Sequence, residues 1–171
     1  ACVRNKLCGS INIHELEKSV VKIGLSSKKR TIPIPKNGKK VAVVGAGISG
    51  IIAAFDLDKK GYQVTIYEKT DKIGGRLWNF QGDQLSKETI EEELAVMNKE
   101  DIKIKFNEFV DEKKLEEIVN NYDAVYIGTG VWKKDLKVNT QTFQVEDSSL
   151  FAGGRIVNQN RDRKSTRLNS S

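Results

Sequence analysis

The residues best suited to chemistry in this sequence form one glycine-rich turn with GxGxxG spacing. Its members are Gly45, Ala46, Gly47, Ile48, Ser49 and Gly50. In such a turn the first glycine permits a sharp bend, the second admits a pyrophosphate close to the backbone, and the third lets a helix pack against a strand. The N–H groups that open the helix then face the phosphates. The spacing predicts a dinucleotide site, and the alternative is a nucleotide-free turn of the same shape.

An acidic residue lies at the distance that such a site requires. Glu68 follows Gly50 by eighteen residues, at the end of the predicted strand QVTIYE, and Lys69 comes next. A carboxylate at this place accepts both hydroxyls of an adenosine ribose and repels a 2′-phosphate. The sequence therefore predicts ribose binding by Glu68 and disfavours NADP as the ligand of this particular site.

The elements that must hold these residues alternate along the chain. Apolar runs predict strands over residues 41–44, 63–68, 102–106 and 123–128, with helices after the glycine turn, after Ser86 as N-cap to about Asn98, and over 111–121. Residues 150–154, LFAGG, predict one further strand. This order predicts an α/β domain with a doubly wound parallel sheet, Rossmann-like, over residues 40–161. A helical segment is predicted over 1–25, within which helical spacing covers 11–23, and a linker over 26–39.

Composition and charge limit the class of protein. The chain has 171 residues, of which 38% are hydrophobic and 30% charged, and no apolar run approaches the ~20 residues of a membrane span. Most of the net charge of +6 is interleaved with acids, so neither nucleic acid nor membrane is predicted as a partner. The two cysteines form no disulfide framework, and we expect a reducing, cytoplasmic compartment.

Beyond the glycine turn, the chain resembles flavoproteins of the two-dinucleotide-binding-domain superfamily. Those proteins place a glycine pair where the chain crosses an extended FAD, and Gly74-Gly75-Arg76-Leu77 occupies that place. A simple NAD domain has no reason for such a pair. YDAVYIGTG resembles the superfamily's later landmark, which puts Thr129 and Gly130 near the cofactor, although an ordinary strand ending in glycines is the alternative. Val110 matches the place where the family's backbone meets the adenine.

From Asn12 to Lys137 the order of elements resembles the small (beta) subunit of glutamate synthase. The same family includes the N-terminal half of dihydropyrimidine dehydrogenase and the FAD and iron–sulfur subunit of selenate reductases. The resemblance implies an FAD-dependent oxidoreductase that moves electrons between NAD(P)H and 4Fe–4S clusters through FAD. It also implies an iron–sulfur domain or subunit, and a larger catalytic subunit, as partners. Cys2 stands at the family's final cluster cysteine, and we interpret it as the relic of a metal ligand, because a cluster takes about four ligands. The alternative is an incidental free thiol.

The sequence departs from this family in two places. Only twenty residues separate Gly130 from Phe151, whereas the family inserts there a NAD(P)H-binding domain, which needs about 100 residues. Either the lineage lacks that domain or a deletion removed it. Gly154 matches the family's closing motif, but Arg155 replaces an aspartate that accepts a hydrogen bond from the ribityl chain of FAD. Arginine offers only donors, which puts tight FAD binding in doubt.

The last ten residues, 162–171, resemble no family motif. All ten codons of a common sequencing adapter translate to DRKSTRLNSS in one frame, so we interpret this stretch as an artefactual, unstructured tail. It carries two of the six net positive charges. We expect the chain to be a fragment that is inactive in isolation. The alternatives to an FAD oxidoreductase are a dinucleotide-binding module and a subunit remnant, neither with chemistry of its own.

Overall fold

The computed structural model describes residues 11–24, 35–80, 82, 86–95, 102–132, 136–146 and 148–157. The chain divides into two compact units, Ala1–Pro33 and Ile34–Ser171. Residues 26–34 of the predicted linker and the predicted tail lie outside the described residues, so these domain boundaries remain predictions.

In the first unit the described element is one helix, α1, over Ile13–Gly24. This confirms the helix predicted from apolar spacing. Asn12 caps its start, because the Asn12 side-chain oxygen accepts a hydrogen bond from the Glu15 N–H at 3.2 Å. Ile13, Leu16 and Val20 recur at helical spacing and are exposed, so α1 presents an apolar stripe at its surface.

The second unit contains the predicted parallel sheet. Its described strands lie in the spatial order β3-β2-β1-β4-β5, and every neighbouring pair is parallel. Their bounds are β1 Lys40–Val44, β2 Gln63–Tyr67, β3 Lys103–Lys105, β4 Ala124–Ile127 and β5 Leu150–Ala152. The order reverses at β1, which lies between β2 and β4. In doubly wound sheets, ligands bind outside the carboxyl ends of the strands at this reversal.

Helices cover both faces of the sheet, because its central strands are apolar on both sides. Helix α2, Ile48–Asp58, packs with Val43 and Ile66 on one face, where Leu94 of α3 (Lys87–Ala95) also packs. Helix α4, Glu112–Asn121, packs with Val44 and Ile127 on the other face. A run of four buried residues in β1 is the pattern of a strand enclosed between two helical layers.

Predicted and observed boundaries differ by one or two residues. The predicted cap of α3 is confirmed, since the Ser86 hydroxyl accepts a hydrogen bond from the Thr89 N–H at 3.2 Å, whereas the predicted end at Asn98 lies outside the described residues. Strand β2 stops one residue earlier than predicted, because Glu68 turns toward the glycine turn. Strand β3 is shorter than predicted, and Phe106 beyond it is 41% exposed.

The described part of the connection between β4 and β5 has backbone pairing that the sequence did not predict. Val138 pairs with Val145, and Gln144 with Phe151, through antiparallel bridges. The Asn139 side-chain oxygen accepts hydrogen bonds from two backbone N–H groups of the turn between them. Val145 is only 5% exposed and belongs to the core cluster on the α4 face. The short connection is therefore part of the domain's packing.

We expect Ile66→Ala to lower the free energy of unfolding by about 2–5 kcal/mol, because its fully buried side chain leaves a cavity between the sheet and α2. Urea denaturation followed by circular dichroism measures the change. Ile52→Ala is the matched control, since Ile52 is 55% exposed on α2 and its truncation should change the value by less than about 0.5 kcal/mol. Equal losses in the two variants would contradict this packing.

Candidate dinucleotide site

The turn between β1 and α2 is shaped by contacts that only glycine permits. Gly45 has φ +99°, and a Cβ placed there would lie 3.1 Å from backbone atoms of Gly128 and Thr129. A Cβ on Gly50 would lie 1.9 Å from the Gly45 carbonyl oxygen. The sharp bend predicted for the first glycine and the close helix packing predicted for the third are both present. The start of α2 is thereby held against the carboxyl ends of β1 and β4.

The second glycine of the motif differs from the other two. Gly47 has φ −76°, which any residue adopts, and the nearest atom to a Cβ placed there is the Gly128 oxygen at 3.9 Å. Neither the backbone nor the protein's own packing therefore requires glycine at this position. Gly47 also precedes α2 without a side-chain cap for the helix. The open space in front of Gly47 is what a phosphate approaching the first turn of α2 would occupy.

The three remaining residues of the motif differ in exposure. Ala46 is fully buried in the cluster on the α2 face, whereas Ile48 is 50% exposed. Ser49, in the first turn of α2, is half-buried, and its hydroxyl lies 2.6 Å from the Tyr126 hydroxyl.

Glu68 lies beside the glycine turn, as its spacing predicted. The side chain is 6% exposed, and one carboxylate oxygen accepts a hydrogen bond from the Ala46 N–H at 2.7 Å. The other oxygen accepts from the Thr70 N–H at 2.9 Å and from the Thr70 hydroxyl at 2.8 Å. Burial of a carboxylate is tolerated because these donors satisfy it. Lys69, which lies between Glu68 and Thr70 in the sequence, is exposed.

The predicted glycine pair crosses the glycine turn. Gly74 forms a parallel bridge with Gly47, and its N–H donates a 2.8 Å hydrogen bond to the Ala46 carbonyl. Gly74 and Gly75 have φ +105° and +53°, and a Cβ on Gly75 would lie 3.1 Å from the Gly47 Cα. The close crossing of two backbone segments therefore requires both glycines. A 3₁₀ helix, Gly75–Phe80, begins at this crossing. Within it, Arg76 is exposed and Leu77 is half-buried.

The ends of β4 and β5 lie on the other side of the first turn of α2. Thr129 and Gly130 follow β4, and nothing in the described structure lies within 4 Å of a Cβ placed on Gly130. Gly154, with φ +69°, approaches the Ser49 hydroxyl, which would lie 3.0 Å from its Cβ. Arg155 is exposed at the start of a helical turn over residues 155–157. The structure thus brings the predicted glycines of three strand ends around one helix terminus.

Tyr126 is a residue of this region that the sequence analysis missed. Besides its contact with Ser49, its hydroxyl lies where Gly153 has no side chain: a Cβ there would be 2.1 Å from the Tyr126 oxygen. The pair Gly153-Gly154 after β5 was the available signal. The cofactor was expected at Gly154, so the missing side chain of Gly153 needed another reason. Tyr126 supplies that reason.

Two other predicted residues are less closely tied to the turn. The Val110 side chain is 6% exposed and packs in the core cluster on the α4 face, which by itself accounts for an apolar residue. The chain two residues before Val110 lies beside Glu68, because the Glu108 N–H donates a 2.8 Å hydrogen bond to the Glu68 carbonyl. Cys2 lies outside the described residues. Among those that are described, no group of three or more histidine, cysteine or acidic side chains is placed to hold a metal ion.

Two titratable groups near the end of β2 have shifted pKa values. The hydrogen bond and charge of Lys114 lower the pKa of Glu108 below its ordinary value. Burial, followed by the hydrogen bond with Tyr122, raises the pKa of Tyr67, so this phenol stays protonated. Among these residues, Glu68 is the acidic group that contacts the glycine turn, through its hydrogen bond from the Ala46 N–H. None of the helices within the described ranges has the length and apolarity that crossing a membrane requires.

Several known proteins are similar to this chain in sequence. A profile described as an NAD(P)-binding Rossmann-like domain matches residues 43–97. The NADPH-dependent glutamate synthase small chain of Bacillus subtilis is 30% identical over 73% of this chain and 26% of its own length. That of Azospirillum brasilense is 30% identical over 80% of this chain and 32% of its own. The chain is thus similar to glutamate synthase small chains over most of its own length.

A relative with a different name is also similar to this chain. The beta subunit of NADP⁺-dependent formate dehydrogenase from Moorella thermoacetica is 34% identical over 56% of this chain and 14% of its own length. The chain thus spans a third or less of these relatives. Their names are those of oxidoreductases, which favours the predicted oxidoreductase class over a module or remnant without chemistry.

Two alanine substitutions separate the packing role of a glycine from its other roles. Gly50→Ala should lower the free energy of unfolding by several kcal/mol, because its Cβ overlaps the Gly45 carbonyl oxygen. Gly47→Ala should lower it by less than about 1 kcal/mol, since that Cβ comes no closer than 3.9 Å to another atom, an ordinary van der Waals contact. Urea denaturation compares the two. A loss at Gly47 as large as that at Gly50 would show that packing requires both glycines.

Proposed function

We propose that this domain binds FAD in an extended form along the carboxyl edge of its sheet. The pyrophosphate lies at Gly47 and the first turn of α2, and the adenosine ribose lies at Glu68. The observation that carries the proposal is Gly47, because neither its φ nor its neighbours within the protein explain the absence of a side chain. A ligand whose phosphates approach the backbone does explain it.

The surrounding residues fit the same cofactor. Thr129, Gly130, Gly154 and Arg155 extend the open region from the start of α2 to the ends of β4 and β5, which is where the flavin half lies in this proposal. Val110 and Lys69 belong to the adenine side. The crossing at Gly74 and Gly75 supports FAD over NAD, since a simple NAD domain has no need of that crossing. The carboxylate of Glu68 disfavours a 2′-phosphate and therefore NADP in this site.

We also propose that the whole protein is an oxidoreductase that moves electrons between a pyridine nucleotide and iron–sulfur centres. FAD supplies the redox chemistry, and the residues of this domain bind and orient it. The relatives are named as chains or subunits, which supports a partner subunit. In this proposal Cys2 is a former cluster ligand.

The pyridine nucleotide must bind somewhere other than the β4–β5 connection. Val145 of that connection is buried in the core, and the bridge between Gln144 and Phe151 joins the connection to β5. The segment is therefore used for packing. The proposal therefore assigns reduction of the flavin to another domain or subunit. We expect no turnover of NADPH by this chain alone.

FAD binding tests the central proposal. The chain should quench the fluorescence of added FAD and shift its absorbance bands, and Gly47→Ala should weaken binding by at least about tenfold, or about 1.4 kcal/mol, because its Cβ occupies the place of the pyrophosphate. Glu116→Ala is the control, since Glu116 is exposed on α4, across the sheet from α2. Absence of FAD binding by the unchanged chain, or equal binding by Gly47→Ala, would contradict the proposal.

Arg155 provides a second test. We expect Arg155→Asp to tighten FAD binding several-fold, because a carboxylate restores an acceptor for a ribityl hydroxyl where arginine has only donors. Arg155→Ala removes the charge without adding an acceptor. Its dissociation constant for FAD should therefore fall between those of the unchanged chain and Arg155→Asp. Isothermal titration calorimetry gives the three dissociation constants. Weaker binding by the aspartate variant than by the alanine variant would place Arg155 against the phosphates instead.

A further inference from the structure

The hydroxyl of Thr70 has two acceptors and one proton. Its oxygen lies 2.8 Å from a carboxylate oxygen of Glu68 and 2.9 Å from the Lys72 carbonyl oxygen. A threonine hydroxyl donates one hydrogen bond at a time. It therefore has two positions in this structure, one that serves Glu68 and one that leaves it.

The two positions change what Glu68 can accept. A carboxylate has about four acceptor sites, two on each oxygen. Ala46 N–H occupies one site on the first oxygen, and Thr70 N–H occupies one on the second. When the Thr70 hydroxyl also donates to the second oxygen, that oxygen is full. When it donates to Lys72, each oxygen has one site free.

A ribose has two adjacent hydroxyls, and a carboxylate that accepts both needs one free site on each oxygen. We infer that Thr70 is a positioning residue for ribose recognition: its hydroxyl donates to the second oxygen of Glu68 before a ribose binds and turns to the Lys72 carbonyl when a ribose with both hydroxyls binds. This inference rests on the proposed dinucleotide function. Thr70 itself is exposed, so the movement needs no rearrangement of the core.

The inference predicts how the protein treats a ribose that lacks one hydroxyl. In the unchanged chain Thr70 refills the vacated site, so the missing hydroxyl costs little. In Thr70→Val nothing refills it, and the buried carboxylate loses a partner. Thr70→Ser keeps the hydroxyl and should behave as the unchanged chain does.

The experiment measures competition against FAD by ADP, 2′-deoxy-ADP and 3′-deoxy-ADP. One of the two analogues lacks the hydroxyl that faces the second oxygen of Glu68. In the unchanged chain and in Thr70→Ser, its dissociation constant should be at most about three times that of ADP. It should rise to about tenfold in Thr70→Val. The other analogue should show the same ratio in all three proteins, because Thr70 serves only one oxygen.

A structural role for Thr70 gives different results. If Thr70 merely holds the carboxylate in place, amide hydrogen exchange at Ala46 should accelerate in ligand-free Thr70→Val, and both ratios should change together. Either result overturns the inference, as do ratios that are the same in every protein. Failure of the unchanged chain to bind both FAD and ADP would overturn the proposed function and this inference with it. Binding with unchanged ratios overturns the inference alone.

Discussion

The close approach of α2 to the ends of β1 and β4 is the constraint on which this domain depends. Three backbone segments meet there with no room for side chains: Gly45 against Gly128, and Gly50 against the Gly45 carbonyl. The approach lies where the strand order reverses, so the helix terminus opens into the crevice between β2 and β4. Lengthening any of these contacts would move the helix away from the crevice and would separate the residues that flank it.

Glu68 extends this constraint to β2. Its hydrogen bond to the Ala46 N–H joins the strand to the glycine turn, and the crossing at Gly74 covers the same turn from outside. A buried carboxylate with backbone donors on both sides is costly to displace, because each donor would lose its partner. The ribose-binding group of the proposed site is therefore also one of the groups that hold the turn together. That double use explains why both of its oxygens accept hydrogen bonds from the protein itself.

Residues with one dominant role were predictable, and residues with shared roles were not. The apolar run of β1 and the first and third glycines of the motif have one role each, and the structure agrees with the sequence at all of them. Gly153 was assigned to a closing motif, yet its lack of a side chain is required by Tyr126. The β4–β5 connection contains no apolar run or periodicity, so its buried Val145 gave no signal. Packing against core residues that are distant in sequence created that burial.

The sequence by itself determined the alternation of strands and helices, the doubly wound class, and the spacing of Gly45, Gly47, Gly50 and Glu68. These follow from local physics: apolar periodicity, backbone freedom and the distance between two strand ends. Only the tertiary structure decided which glycines are required by the protein and which are not. The difference between Gly50 and Gly47 is a difference of 1.9 Å against 3.9 Å to the nearest atom, and those atoms belong to segments that folding brings together. The same holds for Thr70, whose second acceptor is a carbonyl positioned by the turn that follows it.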